Sequence, residues 1–556
     1  MNGLLKVFII GGYGIFGGRL AQLLASEPRL TLMIAGRSQD KAEAFCNSLQ
    51  SQAVVVPFRF DREGDVESQL REAAPSIVVD ASGPFQDYTD PYRVVRACMA
   101  LGIHYLDLAD GSDFVKGIAR FDEEAKSRGV FILSGVSSFP VLTAAVVRKL
   151  SAGMVRVETV TGGIAPSPFA NVGLNVIRAI ASYAGKPIEL RDGRHYALVE
   201  TRRYTVAPPG YTPLNPIRFS LVDVPDLKVL PELWPDLRSV WMGAGPVPEI
   251  WHRVLNACAW LVRLGVVRSL SPLAPLMYRA INLFSWGEHR GGMFVVAEGR
   301  DIRGQKMERS WHMVAEREDG PFIPSMAVEA IVRHCLDGKE PQAGARPATK
   351  ELELSDYDAL FARRQIVTGF REPAPAGTPL YRRMLGEAFD ALPEPLRHMH
   401  DLRRSLVAAG VAQIDRGTGL LSRLAALAFG FPSAGRDVPV TVSFRVEQGH
   451  ETWERDFAGH RFESTQEEGR GRFERLLCER FGPFAFGIAL LAEDGRLRLV
   501  VRRWNFLGLP LPLWLAPRGD AYESAEDGRF NFYVEIGYRL TGLIVRYRGW
   551  LAPRPV

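Results

Sequence analysis

The fold of this chain is decided near its N-terminus, by the stretch Lys6-Val7-Phe8-Ile9-Ile10-Gly11-Gly12-Tyr13-Gly14-Ile15-Phe16-Gly17. The first five of these residues predict a buried strand, and the glycines at positions 12, 14 and 17 match the pattern G-x-G-x-x-G. A helix is predicted next, because apolar residues recur with helical spacing at Phe16, Leu20, Leu23 and Leu24. A strand, this glycine pattern and a helix in that order are typical of a dinucleotide-binding Rossmann unit.

Each glycine of the pattern has an expected role in binding a dinucleotide. Gly12 permits a tight turn, Gly14 lets a pyrophosphate approach the backbone, and Gly17 lets the helix pack on the strand. Ile15 and Phe16 begin the helix, whose free N–H groups and dipole favour an anion. We therefore predict that Gly12, Gly14, Ile15, Phe16 and Gly17 bind the cofactor.

The residues that follow the second strand favour NADP(H) over NAD(H). This strand is predicted over 30–35, and after Gly36 come Arg37 and Ser38, with Lys41 one turn into the next helix. NAD enzymes usually end this strand with Asp or Glu, which binds the ribose 2′-hydroxyl. Without such a carboxylate, Arg37 can pair with a 2′-phosphate and Ser38 can donate to it. The alternative is that Arg37 is a solvated loop residue.

Strands and helices keep alternating, which predicts a parallel, doubly wound sheet. The further strands are predicted at 53–58, 76–80, 104–108 and 129–133. Ligands of such sheets bind at the carboxyl ends of the strands. We therefore expect Asp61 near the adenine, Ser82, Gly83 and Pro84 near the nicotinamide ribose, and Ser137 near the nicotinamide or the substrate.

No residue stands out as a general acid or base. Asp107, at the end of a predicted strand, and Ser137 are the candidates, because a proton donor must lie within hydrogen-bond reach of the reacting carbon. The alternative for Asp107 is structural, since strand-end aspartates often cap the next helix. Hydride transfer depends mostly on positioning, because the cofactor carries the difficult chemistry.

The middle of the chain has a mixed α+β pattern, with strands predicted at 155–161, 294–299 and 310–315. Residues 250–286 differ from the rest, because they form an apolar run interrupted by Arg253, Arg263, Arg268 and Arg279. Two helices joined near Ser271 are expected, and neither is long enough to span a membrane. Three interpretations stay open: a buried helical hairpin, a lipid-facing amphipathic element, and the wall of a lipid-substrate tunnel.

The C-terminal part is predicted to be a separate α+β domain. Its helical segment over 380–406 precedes alternating strands around 440–447, 497–500 and 530–536, which indicate an antiparallel sheet that could curve around an apolar cavity.

Residues 341–347 are predicted as a loop. The predicted domains are 1–150 for the Rossmann domain, 151–330 for a substrate or dimerisation domain, 331–367 for helices that return to the Rossmann domain, 368–378 for a linker, and 379–556 for the C-terminal domain.

Composition excludes several classes of function. A net charge of +5 over 556 residues does not indicate nucleic-acid binding. The five cysteines contain no C-x-x-C pair and the ten histidines no H-E-x-x-H, so we expect no disulfide framework, no metal and a reducing cytoplasm. No signal peptide is expected, because the first apolar stretch is the first strand of the nucleotide fold.

The chain resembles the saccharopine dehydrogenase-like oxidoreductases over about residues 5–365. The motifs are Gly11-Gly12-Tyr13-Gly14-Ile15-Phe16-Gly17, Ala35-Gly36-Arg37, Asp80-Ala81-Ser82-Gly83-Pro84-Phe85, Ala97-Cys98, Gly102-Ile103-His104-Tyr105-Leu106-Asp107-Leu108 and Gly320-Pro321 with Pro324. This resemblance implies a Rossmann fold, a pyridine nucleotide, and either imine reduction on amino acids or polyamines or a lipid-related reduction. The apolar run at 250–286 departs from the amino-acid enzymes, whose substrates would not require it.

The C-terminal part resembles a domain of unknown function that follows such reductases in bacteria. Its motifs are Leu380-Tyr381-Arg382-Arg383-Met384-Leu385-Gly386, His400-Asp401, Trp453-Glu454-Arg455-Asp456-Phe457 and Tyr547-Arg548-Gly549-Trp550-Leu551. This resemblance implies a domain boundary and no particular chemistry.

The expected function is an NADP(H)-dependent oxidoreductase that transfers a hydride to or from a C=N, C=C or C=O bond of an apolar or amphipathic small molecule. The alternative is a non-catalytic NADP(H)-sensing or scaffold protein that acts through its C-terminal domain. The expected location is the cytoplasm, with attachment to the inner face of the membrane through 250–286 and homodimer formation as further options.

Overall fold

The computed structural model describes residues 4–85, 88–170, 173–283, 286–428, 430–447 and 449–554. Within these ranges the chain forms two compact units, the first from 4–204 with 216–367 and the second from 205–215 with 368–554. The segment 205–215, which the sequence pattern assigns to the middle domain, therefore folds with the C-terminal part.

The first unit begins with strands and helices that alternate. Its strands are β1 (Leu5–Ile10), β2 (Leu30–Gly36), β3 (Val54–Arg59), β4 (Ile77–Asp80), β5 (His104–Asp107) and β6 (Phe131–Ser134). Its helices are α1 (Ile15–Leu24), α2 (Gln39–Ser48), α3 (Val66–Ala73), α4 (Arg93–Leu101), α5 (Ser112–Gly117), α6 (Asp122–Ser127) and α7 (Thr143–Leu150).

The rest of the first unit contains longer strands and the helical hairpin. Its strands are β7 (Arg156–Ala165), β8 (Pro187–Leu190), β9 (Gly193–Tyr196), β10 (Thr201–Tyr204), β11 (Ile217–Leu221), β12 (Ser239–Ala244), β13 (Arg290–Arg300), β14 (Lys306–Glu316), β15 (Gly344–Pro347) and the start of β16 (Ile366–Arg371), whose residues from 368 onward belong to the second unit. Its helices are α8 (Leu174–Tyr183), α9 (Asp226–Leu233), α10 (Glu249–Arg263), α11 (Ala274–Leu283), α12 (Ile323–Leu336) and α13 (Leu354–Phe361).

Two seven-stranded sheets organise these elements. The first is parallel, in the order β15-β6-β5-β4-β1-β2-β3, which is the predicted Rossmann-type sheet. The second is mixed, in the order β10-β11-β12-β7-β13-β14-β16. The predicted loop over 341–347 is wrong in its second half, because β15 pairs in parallel with β6. Gly-Ala-Arg-Pro lacks the alternation of a strand, so only this pairing identifies it.

The hairpin of α10 and α11 is buried on one side, at His252, Asn256 and Ala259, and exposed on the other, so the interpretation of 250–286 as a buried hairpin is wrong for its exposed face. Leu264, Val266, Leu276 and Leu283 each expose 65% or more of their surface. Helical spacing identifies an apolar face, but it does not tell whether that face meets protein or solvent. No helix in the described part of the chain is both long and apolar enough to cross a membrane.

The second unit has four helices and eleven strands. The helices are α14 (Leu380–Leu385), α15 (Glu387–Asp390), α16 (Glu394–His400) and α17 (Leu420–Ala428). The strands are β17 (Leu406–Arg416), β18 (Gly435–Glu447), β19 (His450–Phe457), β20 (His460–Glu468), β21 (Leu477–Phe481), β22 (Phe484–Glu493), β23 (Arg496–Phe506), β24 (Leu509–Leu511), β25 (Ala521–Glu526), β26 (Arg529–Tyr538) and β27 (Gly542–Pro553).

The strands of the second unit form a closed antiparallel barrel. The sheet order is β22-β21-β20-β19-β18-β17-β27-β26-β25-β23-β24, and β22 also pairs with β23, which closes a ring of ten strands. The expected apolar cavity is filled, because side chains of α14 to α16 share one core with the strands. This core includes Tyr381, Phe389, Leu396, Val440 and Phe444.

Candidate dinucleotide site

The turn from β1 to α1 requires a glycine one position earlier than the pattern predicts. Gly11 adopts a φ of +74°, which L side chains rarely adopt. Gly12 has no positive φ, and it is needed for space, since a Cβ there would lie 2.8 Å from the Ile9 carbonyl oxygen. The tight-turn role predicted for Gly12 therefore belongs to Gly11, and Gly12 allows the turn to pack on β1.

Gly14 and Gly17 make the start of α1 accessible. A Cβ on Gly17 would lie 2.3 Å from the Gly11 carbonyl oxygen, so only glycine fits at this position. Gly14 is exposed and precedes α1 without a side-chain cap, and the first turn has no acidic residue. The N–H groups of Ile15 and Phe16 therefore lie at an open, positive helix end. These features fit a pyrophosphate.

Tyr13 links the glycine turn to the turn after β2, and the sequence pattern gives no sign of it. Its ring lies against Gly36, where a Cβ would be 2.4 Å from Tyr13 Cε1. Its phenol oxygen accepts a hydrogen bond from the Ser38 N–H at 3.1 Å. The pattern leaves this position free, so motif reasoning missed a residue that joins the two cofactor-facing turns.

The turn after β2 presents cationic and hydroxyl groups. Arg37 is exposed, and in the described ranges no carboxylate forms an ion pair with it. Ser38 is the N-cap of α2, and its Oγ accepts from the Lys41 N–H at 3.3 Å, which leaves the hydroxyl hydrogen free to donate. Lys41 is exposed in the first turn of α2. This arrangement can bind a phosphate.

Asp61 lies beyond the carboxyl end of β3. It is exposed, its Oδ1 accepts from the Glu63 N–H at 3.1 Å, and its own N–H donates to Gln69 Oε1 at 2.7 Å. A shallow cavity of about 370 Å³ adjoins it. The site predicted for the adenine therefore has an open surface beside it.

The loop after β4 is supported by a buried ion pair that the sequence analysis missed. The carboxylate of Asp80 accepts from the Arg62 guanidinium, and its Oδ1 accepts from the Ser82 N–H at 3.1 Å and from the Ser82 hydroxyl at 2.6 Å. Arg62 also lies 4.1 Å from the centre of the Tyr88 ring. The Asp80 carboxylate thus fixes both the backbone N–H and the hydroxyl of Ser82. Gly83 and Pro84 remain partly exposed.

Helix α8, from the part of the first unit that contains the mixed sheet, forms a hydrogen bond with the loop after β4. Asn175 Nδ2 donates to the Gly83 carbonyl oxygen at 2.9 Å. On the glycine-turn side, Arg19 donates to the Ala170 carbonyl oxygen at 3.1 Å. Both contacts are far apart in sequence, so no local pattern could reveal them.

Asp107 is fully buried and ties two strand ends together. Its Oδ1 accepts from the Ser134 hydroxyl at 3.0 Å, the Gly135 N–H at 2.8 Å and the Ala109 N–H at 3.0 Å, and it does not cap α5. Its Oδ2 has no hydrogen-bond partner among the described residues. Burial raises the pKa of this carboxyl to about 7. Asp107 therefore positions the loop after β6.

Ser137 lies in that loop and is partly exposed. Its N–H donates to the Gly135 carbonyl oxygen at 2.8 Å, and its side chain makes no cap bond to the following helical turn. The hydroxyl is therefore available at the same sheet edge as the glycine turn.

All the predicted site residues follow the carboxyl ends of β1 to β6, and these strands are parallel. One sheet edge therefore brings together an anion-binding helix end, a phosphate-compatible turn and partly exposed hydroxyls. In the described part of the chain, no group of three or more His, Cys, Asp or Glu could hold a metal ion.

A larger cleft, of about 950 Å³, lies elsewhere in the first unit. It is lined by Gln22 and Ser26, near the other end of α1, and by charged residues of α12 and of the 317–319 turn. Several of these charges pair with each other, as in Arg333–Glu329 at 2.9 Å and Arg364–Asp319 at 2.8 Å. It is separate from the sheet edge described above.

Two family models match the chain. Residues 7–133 match the saccharopine dehydrogenase NADP binding domain, and residues 392–551 match a domain of unknown function, DUF4166. Both parts of the predicted resemblance are confirmed. The first match also confirms the prediction of an NAD(P)-dependent oxidoreductase at the level of its nucleotide-binding domain. No curated protein matches the chain.

Several solved structures are similar to this chain. Saccharopine dehydrogenase (L-Glu forming) from Saccharomyces cerevisiae is 12% identical over 66% of this chain and 100% of its own, with a TM-score of 0.48. The WlbA dehydrogenase from Thermus thermophilus, in complex with NAD and alpha-ketoglutarate, is 13% identical over 61% of this chain and 90% of its own, with a TM-score of 0.28. At these values the similarities carry no argument about substrate.

Proposed function

We propose that this protein transfers a hydride between NADP(H) and a C=N, C=C or C=O bond of an apolar or amphipathic small molecule. The observation that carries the choice of cofactor is Arg37, an exposed guanidinium directly after β2, where NAD enzymes usually have the Asp or Glu that binds the ribose 2′-hydroxyl.

The neighbours of Arg37 support NADP(H). The Ser38 hydroxyl can donate to a phosphate, and the exposed Lys41 adds a second positive charge within one helical turn. The turn is held by Tyr13, so its donors are organised before the ligand binds. Charge-assisted hydrogen bonds of this kind are the strong ones in anion recognition.

Each group at the sheet edge has a defined task in the proposed reaction. The N–H groups at the start of α1 bind the pyrophosphate, and Asn175 fixes the Gly83 carbonyl beside the nicotinamide ribose. Asp107 positions the loop that carries Ser137, whose hydroxyl can donate to a substrate oxygen or nitrogen. The bound nicotinamide would supply or accept the hydride.

The exposed hairpin of α10 and α11 supports an apolar or amphipathic substrate. Its exposed leucines alternate with Arg253, Arg263, Arg268 and Arg279, so the hairpin is both apolar and basic. Such a surface suits contact with a membrane or with a second copy of the chain, and either would bring the protein close to a poorly soluble substrate.

The cofactor part of the proposal is tested by Arg37→Asp. A carboxylate at this position would repel the 2′-phosphate, so we expect NADPH binding to weaken at least about tenfold and NADH binding to stay within about twofold. The matched control is Arg128→Asp, which changes an exposed arginine just before β6, at the opposite sheet edge. Equal losses for both nucleotides, or equal losses in both variants, would contradict the assignment.

The reaction is tested by following NADPH consumption with a panel of apolar enones, ketones and imines, and NADP+ reduction with saccharopine, an amine that can only donate a hydride, as the amino-acid comparison. We expect turnover of at least one apolar compound and no NADP+ reduction by saccharopine. NADP+ reduction by saccharopine without turnover of any apolar compound would contradict the apolar substrate, and tight NADPH binding without turnover of any compound would contradict the hydride transfer.

A further inference from the structure

The two ends of the barrel in the second unit differ sharply in chemistry. Because neighbouring strands are antiparallel, alternate connections lie at the same end. Among the described residues, one end carries the connections 417–428 with 430–434, 458–459, 482–483, 507–508 and 539–541, and the other carries Gly449, 494–495 and 527–528. The connection 469–476 packs along the barrel wall, since its Arg472 donates to Asn505 Oδ1, near the end of β23, at 3.2 Å. We call the first set the apolar end.

Large apolar side chains protrude from three separate connections at the apolar end. They are Leu420, Leu421, Leu424, Leu427, Leu507 and Leu540, and each exposes between 55% and 78% of its surface. The connection from β24 to β25, which runs along β23 from the level of Trp504 to that of Arg498, also exposes Trp514, at 70% of its surface. Exposed apolar side chains grouped in this way mark interaction surfaces in soluble domains.

Helix α17 has its apolar face directed away from the barrel. Ser422 and Ala426 are buried, and the Ser422 hydroxyl donates to the Leu543 carbonyl oxygen at 2.6 Å, which fixes that side of the helix against β27. Gly417 allows this approach, because a Cβ there would lie 1.8 Å from the Leu543 carbonyl oxygen. The four leucines of α17 are therefore held outward by specific contacts.

The two ends of the barrel also differ in the charged residues that their connections contain. The five connections of the apolar end contain Arg423 and Arg539 and no carboxylate. The other end contains Asp494 and Asp527 in its connections. In the nearby β24–β25 connection, Asp520 pairs with Arg498 at 3.5 Å. The apolar end therefore combines protruding leucines with unbalanced positive charge.

We propose that the apolar end of the barrel docks on the surface of a bilayer that contains anionic lipid. Leucine and tryptophan side chains would enter the interface between headgroups and acyl chains, and Arg423 and Arg539 would pair with lipid phosphates. Separate protruding connections suit a deformable lipid surface better than a protein partner, which would need one complementary contour. This inference goes beyond the proposed reaction, since it does not depend on hydride transfer.

The first unit exposes a surface of the same chemistry. Between Ile250 and Gly287 the chain has four arginines and no carboxylate, although Arg253 is paired with Glu249 at the start of α10, and exposed leucines lie on the same hairpin. The same pattern thus occurs twice in unrelated folds of one chain, which favours a shared lipid environment over two separate protein partners.

The test is co-sedimentation of the full chain with vesicles of phosphatidylcholine, with and without phosphatidylglycerol. We expect the protein to sediment with the anionic vesicles and much less with the neutral ones. Leu424→Asp combined with Leu507→Asp should weaken this binding about tenfold or more, because two leucine side chains that would be buried in the bilayer are replaced by carboxylates. Ile302→Asp is the matched control, since Ile302 is 88% exposed in the β13–β14 turn of the first unit.

Each other outcome would overturn the proposal. Failure of the wild type to bind anionic vesicles, or binding of the double variant as tight as that of the wild type, would remove the barrel end as a lipid surface. Loss of binding only in Leu264→Asp with Leu276→Asp would assign lipid contact to the first unit alone. Conversion of an oligomer to a monomer by the barrel variant without lipid, measured by sedimentation velocity, would assign the surface to a second copy. Unchanged circular dichroism and denaturant unfolding check that the barrel variants are folded, and an unchanged NADPH titration checks the first unit.

Discussion

At the scale of single residues, Gly17 is the position where the dinucleotide turn tolerates least change. A Cβ on Gly17 would lie 2.3 Å from a backbone oxygen, whereas a Cβ on the adjacent Gly18 would meet only the Phe45 ring, at 3.2 Å. We expect Gly17→Ala to lower the free energy of unfolding by about 2 kcal/mol or more and to abolish NADPH binding, because α1 must move away from the turn. Denaturant unfolding and NADPH titration measure both effects.

Gly18→Ala is the matched control for that substitution, since it changes the same helix by the same atom. It should keep NADPH binding, because a side-chain ring can shift where a backbone oxygen cannot. Similar damage from both substitutions would show that α1 does not pack on the turn as described.

Asp107 gives a prediction about pH. Burial raises its folded-state pKa to about 7, above the ordinary value of 3.8, so the folded protein binds the extra proton between these values. Wild-type stability therefore falls as pH rises through this window. Asp107→Asn keeps an oxygen for the three donors and removes the charge. We expect its free energy of unfolding, relative to wild type, to rise by about 2.5 kcal/mol from pH 5 to pH 8.

Denaturant unfolding of both proteins at the two pH values measures this difference. A difference that stays constant with pH would mean that Asp107 is charged in the folded state throughout the range, and that its unpaired Oδ2 has a partner.

The sequence predicts residues whose role is local, and it misses those whose role depends on distant contacts. The glycines and Arg37 follow from their position beside a strand, because backbone space and charge are local properties. Tyr13 and Asn175 could not be found this way. Each acts on a group that only the folded chain brings near, namely the Ser38 N–H and the Gly83 carbonyl.

At the scale of elements, α10 is attached to the mixed sheet by a buried polar cluster. Asn256 Nδ2 donates to the Leu198 carbonyl oxygen at 2.7 Å and to Ser220 Oγ at 2.8 Å. Ser220 Oγ in turn lies 2.6 Å from His252 Nε2. Burial lowers the pKa of His252 to about 4, so the imidazole is neutral near pH 7 and accepts from Ser220.

We expect Asn256→Ala to lower the free energy of unfolding by about 2 kcal/mol, because two buried hydrogen bonds lose their donor. The control Asn282→Ala changes an exposed asparagine of α11 that donates only to the Tyr278 carbonyl oxygen, and it should cost less than about 0.5 kcal/mol. Denaturant unfolding compares the two. Equal, small costs would show that α10 is not held by this cluster.

Helices and strands with a clear hydropathy pattern could be predicted from the sequence. Strands that form only because a neighbouring strand pairs with them could not. The strands of the parallel sheet are continuous apolar runs, and β13 and β14, which pair as a hairpin, contain the strands predicted at 294–299 and 310–315. In contrast, β15 is a strand only because β6 pairs with it. The apolar face of α10 and α11 was recognised, but its exposure was not, since hydropathy does not distinguish a core from an open surface.

At the scale of the whole molecule, the chain combines a dinucleotide-binding unit with a barrel whose interior is already filled. Every residue assigned to the cofactor lies in the first unit, at one edge of the parallel sheet. The return of 205–215 to the second unit was not predictable, because these residues carry no pattern that separates them from the strands beside them. Barrel closure also escaped prediction, since it depends on the pairing of β22 with β23.

The preference for NADP(H), on which the proposed reaction depends, is tested by calorimetric titration of the purified chain with NADPH and with NADH. We expect NADPH to bind at least about tenfold tighter than NADH, because Arg37 makes charge-assisted contacts with the 2′-phosphate. Equal affinity for the two nucleotides, tighter binding of NADH, or binding of neither would contradict it.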